Sequence, residues 1–181
     1  MNEQVVTNPL GTERVGKLMI RYAIPSIVSI VVNSLYNMVD QIFIGQGVGY
    51  LGNAATNIIL PLTSILLALG MMIGDGAASY MSLSLGKGRT EDAAQGVGNA
   101  VALTVGVSVV LLVLFELFLE PLCHLFGATE GNLPYALEYG SIIVLGFPFA
   151  MIDGAFGSII RADGRPKVSM IGLLIGCITN I

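Results

Sequence analysis

The feature that most constrains this chain is a series of long apolar runs whose basic residues fall only in alternate gaps between them. Crossing a bilayer takes about 20 mostly apolar residues, because the hydrocarbon core is about 30 Å thick and a helix rises about 1.5 Å per residue. Five runs approach or meet that length, at about residues 17–44, 51–85, 93–115, 133–160 and 168–181. The third is free of charge, and the fourth is interrupted by Glu138 near one end and Asp153 near the other. Arg14, Lys17 and Arg21 flank the start of the first run. Lys87 and Arg89 lie between the second and third, and Arg161, Arg165 and Lys167 fall around the gap between the fourth and fifth. The gaps at 45–52 and 120–132 contain no Lys or Arg. A chain that alternates sides brings the three basic clusters to one face, which the positive-inside rule makes cytoplasmic. The expected fold is an all-α polytopic membrane protein of about five transmembrane helices, with residues 1–16 as a cytoplasmic N-terminal segment.

Composition narrows the function classes. Only 11% of residues are charged and 54% are hydrophobic, with a mean hydropathy of +0.81; soluble domains carry roughly a quarter charged residues. A soluble enzyme and a disordered tail are both poor fits. A net charge of −4 leaves no basic patch for nucleic acid, so membrane lipids are the expected surroundings. The polar first sixteen residues and the length of the first run do not read as a cleavable signal peptide. The gap at 45–52 reads as a short loop. Gly86 and Gly88 suit a left-handed helix end, and Thr90 suits an N-cap followed by Glu91 and Asp92 in the first turn. Asp163-Gly164 is a turn dipeptide, and Pro166 suits a first helical turn. The fifth run, at 14 residues, spans about 21 Å, short of the bilayer core. The sequence is therefore expected to be part of a longer chain, the alternative being a short helix accommodated by bilayer thinning.

Polar residues within the runs are the functional candidates, because such groups are costly in lipid and usually face a cavity or a partner. In the first run Ser26, Ser29, Asn33, Asn37 and Asp40 follow one another at spacings of three, four, four and three. That pattern is a single stripe on a 3.6-residue helix, and it must look inward. Asp40 closes the stripe. It can exchange a proton, hold Na⁺ with neighbouring amide oxygens, or sit solvated at the interface. Pro25 removes one helical hydrogen bond and can kink the first run, and Pro148 can kink the fourth. Asp75 reads as a membrane-interface group, and Asp153 is ambiguous. Asn180, deep in the fifth run, is by itself more often helix–helix glue than an ion ligand. His124 stands alone, so no His-based metal site is expected, and Cys123 and Cys177 form no disulfide framework.

Three stretches resemble the multidrug and toxic compound extrusion (MATE) transporters, in their bacterial multidrug branch. They are Pro25-Ser26 with Asn33 through Gly45 (NSLYNMVDQIFIG), Gly74 through Ser82 (GDGAASYMS) with Leu85 through Gly88 (LGKG), and Ile160 through Lys167 (IRADGRPK). The resemblance implies that residues 17–181 are a partial N-terminal six-helix lobe of a twelve-helix antiporter in the bacterial inner membrane. Such a protein would exchange cationic or amphipathic drugs for H⁺ or Na⁺. It implies a coupling-ion role for Asp40 and Asn180, a bending role for Pro25, and a cavity lined by Ser29, Asn33, Tyr36 and Asn37. It implies no cofactor beyond the coupling ion, and as a partner the missing C-terminal lobe of the parent chain.

Other classes fit the sequence less well. A lipid-precursor flippase needs basic groups for pyrophosphate, and no Lys or Arg falls in the middle of a run. An intramembrane aspartyl protease would need Asp40 and Asp75 to meet, yet the spans put them near opposite faces. A five-helix piece that inserts but transports nothing is the expected behaviour of the chain taken alone. No catalytic motif is present, so the chain is not expected to be an enzyme.

Overall fold

A computed structural model of the chain describes residues 13–180, so most of the expected segment 1–16 lies outside the described residues. Seven helices follow in order: α1 Val15–Gly47, α2 Tyr50–Gly86, α3 Thr90–Leu117, α4 Leu119–Leu125, α5 Leu133–Leu145, α6 Phe147–Ala162 and α7 Pro166–Asn180. No strand occurs among the described residues. The first three helices are each long and apolar enough to cross a membrane, and α5 with α6 makes a fourth, bent span. The fifth run becomes α7, which is apolar but only 15 residues long.

Three local expectations are corrected. The loop expected at 45–52 shrinks to Val48-Gly49, because Gly45, Gly47 and Gly52 are helical. These glycines permit close packing in the α1–α2 corner: a Cβ at Gly52 would lie 2.8 Å from Val48 Cβ, and one at Gly45 would lie 3.0 Å from Asn53 Nδ2. The reversal itself falls on Gly49, whose φ of 81° is disfavoured for L side chains. Thr90 is the first residue inside α3 and makes no capping bond; Arg89 holds the N-cap position. The reason is that Gly88 turns left-handed and the Arg89 N–H reaches back to the Ser84 carbonyl, which closes the end of α2 and leaves Arg89, one residue before the threonine, to start α3. Glu91 and Asp92 do occupy the first turn of α3. The third correction concerns 120–132, where α4 replaces part of the gap and tucks Leu119 and Cys123 into the core. The kink expected of Pro148 in the fourth run is present, as a 52° bend at Gly146 between α5 and α6. Pro148, at the start of α6, has no N–H to continue the ladder, so the kink precedes it.

The centre of the bundle is α2, which packs on α6, α3 and α5. One apolar cluster joins Ile59, Leu62 and Leu66 of α2 with Leu119, Val144, Phe147 and Met151. The ring of Phe115 meets Phe147 edge-on at 5.7 Å. Small residues let the backbones touch, which matters in a bilayer, where packing rather than water exclusion drives helix association. A Cβ on Gly74 would lie 2.6 Å from Ala155 Cα, and one on Gly70 would lie 3.2 Å from Met151 Cγ. A second cluster places Ala77 and Met81 of α2, Ala93 and Ala100 of α3, and Ile159 of α6 together. It brings the α2–α3 and α6–α7 turns to one end of the bundle. The start of α1 joins them there, since Pro25 and Ser26 share a cavity with Arg161 and Pro166. All three basic clusters therefore sit at the same end, as the alternating gaps require. In contrast to the core helices, α1 packs mainly on α7 and touches α2 lightly.

Candidate functional site

The polar stripe of α1 borders a cavity of about 450 Å³ between α1, α7, α2 and α6. Pro25, Ser29 and Asn33 line it, together with Ser26 and Ser34. Opposite them stand Arg161 at the end of α6 and Ser169 on α7, with Met71 and Leu173 as apolar wall. Pro25 is the one buried residue within α1. Its ring is placed where α1 crosses the start of α7, and the residue has no N–H to bond the Arg21 carbonyl one turn earlier.

Within the stripe, local hydrogen bonds hold the polar groups. The Ser26 hydroxyl donates to the Tyr22 carbonyl at 2.8 Å. The Asn37 amide donates to the Asn33 carbonyl at 2.8 Å and to Asn33 Oδ1 at 3.1 Å. Contrary to the inward stripe expected, Asn33 and Asn37 are exposed, and these back-bonds tie them to each other and to their own helix instead of to a neighbouring one. Higher along α1, Asp40 is half-buried, and both it and Tyr36 lie within electrostatic reach of Tyr139 on α5. Next to Asp40, Gln41 Nε2 approaches Thr56 Oγ1 of α2 at 3.3 Å, and that hydroxyl donates to the Asn53 carbonyl at 2.9 Å.

The expected residues thus fall into two groups on one helix. Pro25, Ser29 and Asn33 lie on the cavity, Asn37 links upward, and Tyr36 and Asp40 stand near the other end, by Tyr139. The last expected residue, Asn180, is the final residue of α7, and its side chain lies outside the described residues. Asp75 and Asp153 are exposed. Along the α1–α2 hairpin, Asp40 and Asp75 are offset by about 25 Å at 1.5 Å per residue, so they form no dyad.

Sequence reading missed Arg161, Ser169 and Tyr139. The sign that sets Arg161 apart is its position: it lies inside the last turn of α6, whereas Arg165 lies in the turn itself. The structure accordingly puts a basic side chain on the cavity wall, although none falls in the middle of a run. Tyr139 carries no sequence signal, because only the α5–α6 bend decides which residues of that run face α1. Among the described residues no group of three or more His, Cys, Asp and Glu side chains could hold a metal ion.

A helical polytopic membrane bundle whose first span carries a polar stripe, with Ser26, Ser29 and Asn33 on a cavity, is a transporter-type architecture. The MatE family profile matches residues 25–181, and the chain belongs to that family. The multidrug export protein MepA of Staphylococcus saprophyticus is 28% identical over 176 residues, which cover 92% of this chain and 37% of that protein. A FAD transporter of Shewanella oneidensis is 24% identical, over 92% of this chain and 37% of its own length. Among solved structures, the MATE multidrug transporter DinF-BH superposes with a TM-score of 0.90 at 34% identity, covering 100% of this chain and 40% of that one. The chain therefore spans somewhat more than a third of the length of these relatives.

Proposed function

We propose that residues 1–181 are the ion-coupling N-terminal part of a drug efflux antiporter in the bacterial inner membrane, with the N-terminus in the cytoplasm. The observation that carries this reading is the α1 stripe. It runs from a polar cavity at Pro25, Ser29 and Asn33 to a half-buried carboxylate at Asp40. A stripe of amides and hydroxyls leading to one carboxylate suits a cationic or amphipathic drug and a coupling H⁺ or Na⁺. Asp40 is the shared charge: an ion bound there weakens drug binding, and a bound drug weakens ion binding by the same factor. Drug release would follow ion entry from outside, and the bend that Pro25 allows would let the lower part of α1 move against α7. Asn180 would add an amide to the ion site. A relative named as a FAD transporter points to anionic cargo as well, but a carboxylate at the head of the stripe disfavours a polyanion there. All three basic clusters lie at one end of the bundle, which supports the cytoplasmic N-terminus.

The test is a chimera in which residues 1–181 replace the matching part of a multidrug export relative, assayed for dye extrusion from cells under an imposed pH or Na⁺ gradient. Asp40→Asn is expected to abolish gradient-driven extrusion while the protein still reaches the membrane. Undiminished extrusion by that variant rejects Asp40 as the coupling residue. Residues 1–181 expressed alone are expected to insert without exporting dye.

A further inference from the structure

The end of the cavity that Arg161 occupies differs chemically from the Asp40 end. Arg161 is half-buried, and among the described residues it forms no ion pair. Its neighbours in the turns behave otherwise: Arg165 Nε sits 3.3 Å from Asp163 and Arg89 Nε 3.4 Å from Asp92. The one hydrogen bond the Arg161 guanidinium makes to a side chain among the described residues goes from Nη2 to the Ser158 hydroxyl, at 2.9 Å. An arginine has five N–H donors in a planar fork, so most of its capacity is uncommitted. A half-buried cation without a counter-ion is unfavourable unless something anionic meets it.

The surroundings supply the rest of an anion site. A point one Cβ bond out from Gly157 lies 3.4 Å from Arg161 Nη1 and 3.7 Å from Ser169 Oγ, so the guanidinium and that hydroxyl converge on the same space. Ser29 lines the same cavity from α1, and α7 begins at its edge with Pro166, directing the positive end of its helix dipole there. The wall beyond is apolar, formed by Ile30, Met71 and Leu173. A charged donor set at one end and a greasy wall at the other suits a singly charged phosphate group on an amphiphile.

We infer that the Arg161 end of the α1/α7 cavity is a binding site for a phosphate-class anion, held by the Arg161 guanidinium and the hydroxyls of Ser169 and Ser29. The ligand chemistry is that of a phosphodiester or phosphomonoester. It can be presented by an anionic phospholipid headgroup whose chain lies along Ile30 and Leu173, or by a free phosphate in solution. The site shares Ser29 and its cavity with the efflux reading, but its test needs neither Asp40 nor any gradient.

The experiment uses the full chain purified in detergent. Native mass spectrometry follows retention of phosphatidylglycerol against phosphatidylcholine, and a second series adds millimolar inorganic phosphate. The wild-type chain is expected to bind one phosphatidylglycerol at least about tenfold more tightly than phosphatidylcholine, since a charge-assisted arginine pair is being gained. Competition by inorganic phosphate identifies the free anion as sufficient; absence of competition identifies the lipid form. Arg161→Gln should lose the preference, Arg161→Lys should keep part of it, and Arg165→Gln should leave it intact. Ser169→Asp provides an internal counter-ion at the point of convergence, so it should keep the fold and lose the anion. Equal retention of phosphatidylglycerol by wild type and Ser169→Asp, or an equal loss in Arg165→Gln, overturns the assignment.

Discussion

Replacing Gly74 with alanine puts a methyl group where the backbone of α6 already is. The new Cβ would lie 2.6 Å from Ala155 Cα, 2.8 Å from its carbonyl oxygen and 3.1 Å from its carbonyl carbon. Carbon atoms in contact sit about 3.5–4 Å apart, so α2 and α6 must separate by about 1 Å at this crossing. No rotamer change can relieve a clash with backbone. Overpacking of this kind costs about 1–3 kcal/mol, and a rigid neighbour puts the cost toward the upper end. Gly76, two residues along the same helix, is the natural control, because nothing lies within 4 Å of a Cβ built there. Both substitutions gain the same helix propensity, about 1 kcal/mol. That gain cancels when the two variants are compared, leaving the overpacking cost alone. The assay is reversible unfolding in mixed micelles, titrating sodium dodecyl sulfate and following helical circular dichroism. Gly74→Ala is expected to be less stable than Gly76→Ala by about 2–3 kcal/mol. If the two variants unfold together, the α2–α6 crossing is looser than described, and the argument that glycine sets the core of this bundle fails.

Two further outcomes follow from side chains at the other end of the molecule. Cys123 is fully buried in α4, and its thiol is pushed above its ordinary value, first by burial and second by the neighbouring Glu120. The thiolate is the reactive form, so at neutral pH Cys123 should label with maleimide at least about tenfold more slowly than a cysteine placed at exposed Leu125, with the rate climbing as pH rises; equal rates at both positions would contradict this. Gln41→Ala removes the link to Thr56 between α1 and α2 and should cost about 0.5–1.5 kcal/mol. A double-mutant cycle with Thr56→Ala that shows no coupling would mean the two groups do not bond.

The spans were legible because lipid forces a long apolar run into a helix, and the alternating basic gaps then fixed which ends lie together. The α1 stripe was legible for a similar reason: five polar residues on a 3.6-residue period have no other face to choose. What could not be read was anything decided by contact between distant elements. Gly45 and Gly52 look like loop residues in sequence, but their backbones are helical and their missing side chains make room for Asn53 and Val48. Leu119 and Cys123 sit in what reads as a connecting stretch, yet they are buried because α4 folds back onto α5 and joins the apolar cluster centred on α2. Arg161 reads as one more basic loop residue until α7 is seen to pack beside α1 and enclose it. The break in the fourth run was announced by Pro148, although the bend itself falls two residues earlier, at Gly146.

The pairing of α1 with α7 has a consequence for biogenesis. These helices are the first and the last to leave the ribosome among those described, and roughly 120 residues separate them; at about 5–20 residues per second, α1 waits on the order of ten seconds for its companion. During that interval Ser26 and Ser29 stand in the insertion machinery or in lipid without the helix that will later pack beside them. The bonds that α1 side chains make to carbonyls one turn back, Ser26 to Tyr22 and Asn37 to Asn33, need no second helix and are complete as soon as α1 has coiled. The early helix thus carries its own provision for the delay, and exchanging Ser26 or Asn37 for a polar residue that cannot reach back would burden membrane insertion before it touched the finished protein.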